Sequence, residues 1–179
     1  MARLPFKEDP LLRFLVTGVL LFAGWLMVYH WVLHPRTSLD RTVIDGIMWL
    51  AGGTLEALGE QLLPEPDPNY RTIGVQGGHN LWIGDPCNGV TVMAVFSIFI
   101  IAYPGRWSQR AWFLPVGILS IHLINTLRVV VLALVVKHDY GWLEFNHDYV
   151  FYIVVYGWVL LLWWWWVRRA GGPALNAAA

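Results

Sequence analysis

The sequence predicts an all-α integral membrane protein: a bundle of about four transmembrane helices, an amphipathic interfacial helix and a small extracytoplasmic β-hairpin. Of its 179 residues, 57% are hydrophobic and 13% are charged, whereas an ordinary soluble domain has about 25% charged residues. This number of charges is too small to surround a core with a solvated shell. Lipid must therefore be the solvent for much of the surface. The 12 tryptophans agree with this, because the indole ring prefers the boundary between membrane and water. The net charge of zero offers no basic field that would attract nucleic acid.

Four apolar segments reach the roughly 20 residues that a membrane-spanning helix needs. They cover about residues 12–33, 87–105, 111–136 and 148–167. The first segment is too long for the core of a signal peptide, and no A-x-A-like cleavage site follows it. We therefore expect it to be retained as a helix.

The segment 41–63 has a different pattern, in which one face is apolar and the other is acidic. Its apolar residues recur at helical spacing, while Asp45, Glu56 and Glu60 fall within about 60° of each other at roughly 100° per residue. This pattern favours a helix that lies on the membrane or caps the bundle over a lipid-exposed span.

The distribution of Lys and Arg decides between two topologies, because short cytoplasmic loops are enriched in these residues. With four spans and an inside N-terminus, seven basic residues lie inside and four lie outside. If 41–63 also spans, the split becomes six inside and five outside, so the four-span topology is preferred. Its inside set is Arg3, Lys7, Arg13, Arg106, Arg110, Arg168 and Arg169, and its outside set is Arg36, Arg41, Arg71 and Lys137.

In either topology, residues 64–86 form an outer loop. It begins with a proline-rich stretch that cannot be helical. Tyr70–Val75 and Asn80–Ile83 are predicted as short strands around a turn at 76–79, which makes a β-hairpin. We expect the tail at 171–179 to be disordered.

The only cysteine, Cys87, follows Asp85 and Pro86 at the predicted start of the second span. Asp is a preferred N-cap and Pro is favoured at the first helical position, so Cys87 is predicted in the first turn of that helix. Unpaired backbone N–H groups there favour a thiolate and can bind an oxyanion, whereas the charge of Asp85 opposes the thiolate. The alternative is a small buried side chain without reactivity, as most cysteines outside disulfides are.

Inside the third span, Arg128 places a charge in an apolar segment. Such a charge costs at least about 2.5 kcal/mol at the bilayer centre, and it usually faces the bundle interior or a wet cavity. Asn125 lies one turn earlier on the same face, where it can hydrogen-bond Arg128 or a substrate. The alternative is that Arg128 snorkels to the surface and only anchors the topology.

His147 lies at the predicted outer start of the last span, between Asn146 and Asp148. Histidine can exchange a proton near neutral pH, and Asp148 can bias its tautomer or simply favour the helix dipole. The alternative is an interfacial histidine without a role. His79 and His138 are also predicted outside and compete for the role of base. The remaining histidines are expected to lie elsewhere and to be less suitable: His30, His34 and His122.

The directions of the predicted spans bring these features together. Cys87 starts a span going down, Arg128 lies near the top of a span going up, and His147 starts another span going down. All three side chains therefore reach one membrane level. A thiolate, a proton-transfer group and an oxyanion donor at that level make up a nucleophilic site.

These residues resemble the signature of the exosortase/archaeosortase family of multi-pass membrane transpeptidases, and the chain looks like a compact member. The resemblance rests on three ordered motifs: Cys87-Asn88-Gly89, then Asn125-Thr126-Leu127-Arg128, then Asn146-His147. It covers about residues 84–150, with compatible spans continuing to 167.

The resemblance implies a cysteine peptidase or transpeptidase in the cell inner membrane, with its site on the extracytoplasmic face. Its partners would be the lipid bilayer, the C-terminal sorting signal of exported proteins (a short motif, an apolar helix and a basic tail), and an amine acceptor on a surface glycan or lipid, or water. Carried over, Cys87 is the nucleophile, His147 the general acid and base, and Arg128 the oxyanion or substrate-orienting group. Asn125, which also supports Arg128, and Asn88 are expected to bind substrate. No cofactor or metal is expected.

Two other functions stay open at this point. The first is a non-catalytic assembly partner or transport subunit, in which Arg128 would be structural or line a pathway. The second is a membrane acyltransferase that uses Cys87 as an acyl carrier. A non-catalytic protein would tolerate Ser or Ala at position 87, and loss of processing of a tagged substrate in both mutants is what the transpeptidase hypothesis predicts.

Overall fold

The computed structural model describes residues 9–65, 70–142 and 151–170, and these residues are mostly helical. Three helices are long and apolar enough to cross a membrane: α1 (Pro10–Arg36), α4 (Trp107–His138) and α5 (Phe151–Ala170). The other described elements are the helices α2 (Leu39–Ala57) and α3 (Val90–Ala102), the strands β1 (Thr72–Ile73) and β2 (Leu81–Trp82), and two 3₁₀ turns at Asp85–Cys87 and Tyr140–Trp142. The predicted class, a helical membrane bundle with a small antiparallel hairpin, is confirmed.

The predicted second span, 87–105, is shorter in the structure than a membrane-spanning helix. Helix α3 has 13 residues, which is about 20 Å of helix, whereas the hydrocarbon core is about 30 Å thick. Before it, residues 85–89 form a 3₁₀ turn and a left-handed glycine instead of α-helix. After it, Pro104 excludes the α conformation from Tyr103, whose ψ is 137°. The count of four spans is therefore not confirmed, since the described chain has three membrane-length helices and one short apolar helix.

Helix α1 contains a π-helical turn near its end, at Tyr29–Leu33. Pro35 accounts for this turn, because proline has no N–H for the helical ladder and its ring clashes with the carbonyl four residues earlier. The N–H of His34 donates instead to the carbonyl of Tyr29, five residues back. The widened turn places the rings of Tyr29 and His34 on one side of α1, with their centres 5.7 Å apart.

Helix α2 buries one face, as its amphipathic pattern predicts. Ile44, Ile47, Ala51 and Leu55 are fully buried in a core that α2 shares with α4 and the hairpin. The opposite face is exposed and includes Asp45. The location of α2 at the membrane surface stays a prediction.

Helix α2 ends earlier than the predicted segment 41–63. Gly59 adopts a left-handed conformation with a φ of 85°, and glycine in that conformation commonly ends a helix. Glu60 therefore lies beyond the helix and is not part of the predicted acidic face. Its two carboxylate oxygens accept hydrogen bonds from Lys137 Nζ at 2.8 and 2.6 Å. This ion pair ties the chain after α2 to the end of α4.

The described part of the loop at 64–86 contains the predicted hairpin, with shorter strands than expected. Strand β1 pairs antiparallel with β2, and a single bridge between Leu62 and Val75 adds the segment that follows α2. Gly74 sits where the strands approach closely, because a Cβ there would lie 2.7 Å from the carbonyl oxygen of His79. The predictions for 66–69 and for the tail at 171–179 fall outside the described residues.

A second core joins α3, α4 and α5. Phe96 of α3, Phe113 of α4 and Trp166 of α5 are each no more than 2% exposed. Phe99 of α3 stacks on Trp163 of α5, with ring centres 4.4 Å apart. This packing fixes α3 relative to α4. Cys87 and Asn88 lie just before α3, and Asn125 and Arg128 lie on α4.

Candidate active site

A cavity of about 710 Å³ lies between α1, α3, α4 and α5, beside the turn at 85–89. Four of the five predicted site residues line it: Cys87, Asn88, Asn125 and Arg128. The fifth, His147, lies outside the described residues, so its approach to the other four stays a prediction. Much of the remaining wall is apolar and includes Val92, Val95, Val155, Leu160 and Trp163.

Cys87 is half-buried and ends a 3₁₀ turn that begins at Asp85. The prediction that it lies in the first turn of a spanning helix is wrong, because Gly89, with a φ of 77°, interrupts the backbone before α3 begins. The N–H of Cys87 donates to the carbonyl of Gly84 at 2.9 Å. The expected stabilisation of a thiolate by unpaired helix N–H groups therefore does not apply to this N–H.

Asn125 holds the Cys87 turn from the side of α4. It is 2% exposed, and its Nδ2 donates to the backbone carbonyl of Cys87 at 2.8 Å. The sequence had suggested Arg128 or a substrate as its partner. The structure instead makes Asn125 a link between α4 and the turn that carries the sulfur.

Arg128 is half-buried in the wall of the cavity, one helical turn from Asn125. Its guanidinium carbon lies 5.9 Å from the centre of the Phe151 ring on α5, which is a favourable placement for a cation over an aromatic face. It lies about 15 Å before the end of α4 at His138. The charge thus faces a cavity inside the bundle, as a charged residue within a membrane-length helix usually does.

The structure adds a buried hydrogen-bond network that the sequence analysis missed. Its centre is Asp40, in the first turn of α2, which is 7% exposed. Asp40 Oδ1 accepts from the Tyr29 hydroxyl at 2.9 Å and from Asn88 Nδ2 at 2.6 Å. Asp40 Oδ2 lies 3.0 Å from Nδ1 of His34. Asn88 in turn caps α3, because its Oδ1 accepts from the N–H of Val90 at 2.8 Å.

The sequence contains a signal for this network. Asp40 precedes Ile44 by four residues, so it lies on the apolar face of α2 rather than on its acidic face. A carboxylate on a buried face needs donors, and Pro35 marks the irregular turn of α1 that supplies two of them.

The expected positions of the histidines change accordingly. His30 and His34 were expected away from the site, and both line the cavity. His79 and His138, the expected competitors of His147, lie outside its lining, and the ring of His79 packs edge-on against Tyr140, 5.2 Å away.

One part of the network has the composition of a metal site. His34, Asp40 and Asp85 each offer a ligand atom, and these atoms lie within 4.8 Å of one another. Protein groups already donate to the Asp40 carboxylate, from Tyr29 and Asn88. Asp85 pairs with Arg71 at 3.3 Å and lies 3.9 Å from Nδ1 of His34. Asp40 therefore already has protein donors, whereas Asp85 is hydrogen-bonded through Oδ1 and its side chain is 36% exposed.

The fold and the cavity define a multi-pass membrane protein with a cysteine and an arginine in one partly apolar cavity. A comparison with known families matches residues 10–167 to the transmembrane exosortase family. That match covers most of the chain, so the protein belongs to the transmembrane exosortase family. It also extends the resemblance, which covered about residues 84–150, back through α1 and α2. No curated protein and no solved structure matches the chain.

Proposed function

We propose that this chain is a membrane cysteine transpeptidase or peptidase that cleaves a C-terminal sorting signal from exported proteins. It would act in the cell inner membrane, with the cavity open to the extracytoplasmic face. The observation that supports this most is that Cys87, the only sulfur nucleophile of the chain, lines one cavity with Arg128 and Asn125. Family membership supports the same class of reaction.

In the first step, the thiolate of Cys87, with its proton on His147, attacks the carbonyl carbon of the scissile peptide bond. The C–N bond breaks, a thioester forms, and the departing amine takes a proton, which we assign to His147. In the second step, an amine on a surface glycan or lipid, or water, attacks the thioester carbon. The C–S bond then breaks, the thiolate is released, and the proton of the attacking group returns to His147.

Arg128 is proposed to bind the oxygen that becomes negative in each step. Its planar guanidinium offers several N–H donors in a fixed fork, and the Phe151 ring on one side limits its orientation. Donors placed before the reaction, in a cavity with little water, stabilise an oxyanion far more than donors in bulk solvent.

The two asparagines have different proposed roles. The amide of Asn125 acts through the Cys87 carbonyl, by holding the turn at a fixed distance from α4. The Asn88 side chain is 3% exposed and already bonded to Asp40 and Val90. A direct contact of Asn88 with substrate stays a prediction, and its hydrogen bonds favour a scaffolding role.

The shape of the cavity supports a substrate that is polar at one end and apolar at the other. Cys87 and Arg128 lie at the polar end, and Val95, Val159 and Trp163 line the wall further along α3 and α5. Such a wall fits an apolar helical segment, with the scissile bond just beyond it. The sorting signal implied by the family resemblance has this order of parts.

The proposal is tested with an exported reporter protein that ends in a short motif, an apolar helix and a basic tail. The chain and the reporter are produced together, and removal of the tail is followed by the size of the reporter. Cys87→Ala and Cys87→Ser should both abolish processing at a normal level of protein in the membrane. Arg128→Lys should lower kcat by about 10²- to 10³-fold, as expected for loss of an oxyanion donor.

Two matched variants control for general damage. Ser97→Ala removes a hydroxyl of α3 that bonds only within its own helix, to the carbonyl of Met93. Arg106→Lys changes an exposed arginine next to the start of α4. Both should process the reporter normally. Full processing by Cys87→Ser would refute the proposal and favour a non-catalytic assembly or transport subunit.

A further inference from the structure

Asp40 joins three segments of the chain at the cavity. Its donors come from α1 and from the residue that follows Cys87, while Asp40 itself belongs to α2. It is a nearly buried carboxylate that accepts three hydrogen bonds if Nδ1 of His34 carries the proton, the tautomer that a carboxylate partner favours.

Side chains from two different helices hydrogen-bond to the Cys87 turn. On one side, Asn125 of α4 donates to the Cys87 carbonyl. On the other side, Asp40 accepts from Asn88, the next residue in the chain, at 2.6 Å. Because Gly89 is left-handed, the turn is not a continuation of helix α3, and these two side chains tie it to α4 and to α2.

The packing of α2 against the bundle does not depend on Asp40. Four fully buried apolar residues further along the helix, Ile44, Ile47, Ala51 and Leu55, already anchor it in the core. Loss of the Asp40 carboxylate should therefore loosen the Cys87 turn while α2 stays in place.

We propose that Asp40 is a positioning residue for the nucleophile: through Asn88 it sets where the Cys87 sulfur lies in the cavity. This inference rests on the proposed function for its meaning in catalysis, but the position of the sulfur can be measured without any substrate. The same carboxylate orients His34, so its loss also frees an imidazole that lines the cavity.

The test uses the full chain in detergent micelles and two readouts. The first is the rate at which N-ethylmaleimide alkylates Cys87, which is unambiguous because the chain has one cysteine. The second is kcat and KM for the reporter. Asp40→Asn should raise the alkylation rate by at least about threefold, because the turn opens more often. It should lower kcat by about 10- to 100-fold with little change in KM, as a displaced reacting group does.

Rescue by exchange separates positioning from a general structural role. In the double variant Asp40→Asn/Asn88→Asp, the carboxylate and the carboxamide trade places, so one donor and one acceptor again face each other. This variant should return both readouts to within about threefold of the parent, whereas Asn88→Asp alone sets two carboxylates against each other and should not. Asp45→Asn, an exposed carboxylate on the same helix, is the control and should change neither readout.

A second variant keeps the test decisive if Asp40→Asn accumulates poorly. Asn88→Ser can still cap α3 but is too short to reach Asp40, so it should reproduce the faster alkylation and the lower kcat. Unchanged alkylation in both Asp40→Asn and Asn88→Ser, or a double variant no better than its parts, would overturn the inference. If Cys87→Ser processes the reporter normally while the exchange still restores alkylation, the proposed function fails and the positioning role stands.

Discussion

Gly117 of α4 is the position where the packing of α3 against α4 is most directly testable. A Cβ at this glycine would lie 2.5 Å from Cε1 and 3.1 Å from Cε2 of Phe96, and closer still to Cζ. The Phe96 ring has little room to move, because it is fully buried and packs against Phe113 with ring centres 5.8 Å apart. Gly117→Ala should therefore force α3 and α4 apart.

The expected magnitude follows from two opposing contributions. Alanine is a better helix former than glycine by about 0.8–1.0 kcal/mol. Overpacking a tight core costs about 1–3 kcal/mol, and small residues at helix contacts are what allow close approach in membranes. The net loss in the free energy of unfolding is then about 1 kcal/mol, and up to about 2 kcal/mol if the ring cannot shift.

The measurement is the midpoint of thermal unfolding in detergent, where a loss of this size corresponds to a decrease of about 2–4 °C for each kcal/mol. Gly24→Ala is the matched control, since it is also a helical glycine but nothing lies within 4 Å of the added Cβ. It should leave the midpoint unchanged or raise it. Equal midpoints for Gly117→Ala and Gly24→Ala would show that α3 and α4 do not pack as described.

Two further predictions concern a glycine and an ion pair. Gly89→Ala strains a left-handed residue with a φ of 77° and brings a Cβ within 3.3 Å of Asn125 Nδ2, so reporter processing should fall by at least about tenfold. The control is Gly77→Ala, at a φ of 88° with open space around it, which should process the reporter normally. Equal activity of the two variants would contradict this reasoning. Glu60→Gln removes the ion pair with Lys137; the Glu60 side chain is 19% exposed and the Lys137 side chain is 31% exposed. The free energy of unfolding should therefore fall by up to about 1 kcal/mol at low salt and by less at high salt. A loss that does not depend on salt would point to packing instead of charge.

The long helices were predictable because their signal is local and strong. Segments of some 20 apolar residues have few alternatives to a helix in lipid, where every backbone N–H and C=O must be paired within the segment. The hairpin was predictable for a similar reason, since the residues around Gly77 and Gly78 favour a turn between two short strands. The spacing of Asn125 and Arg128 placed both on one face of α4, and both line the cavity.

The errors arose where two local rules competed. The residues Asp85 and Pro86 match the start of a helix, and they do begin a helical turn, but it is a 3₁₀ turn that Gly89 ends. Gly59 likewise ends α2 before the acidic pattern does. In both cases a glycine in the left-handed region overrode an otherwise favourable sequence, because a helix cannot continue through it.

The sequence by itself determined the membrane class, the approximate helices and the candidate residues Cys87, Asn125 and Arg128, because each of these follows from composition or from short-range spacing. Only the tertiary structure decided which polar groups meet around the nucleophile. Asp40 and Asn88 are 48 positions apart in the chain, so no periodicity relates them. They are joined because a carboxylate on a buried helix face must find donors, and the packing of α2 against the bundle brings those donors from α1 and from the Cys87 turn.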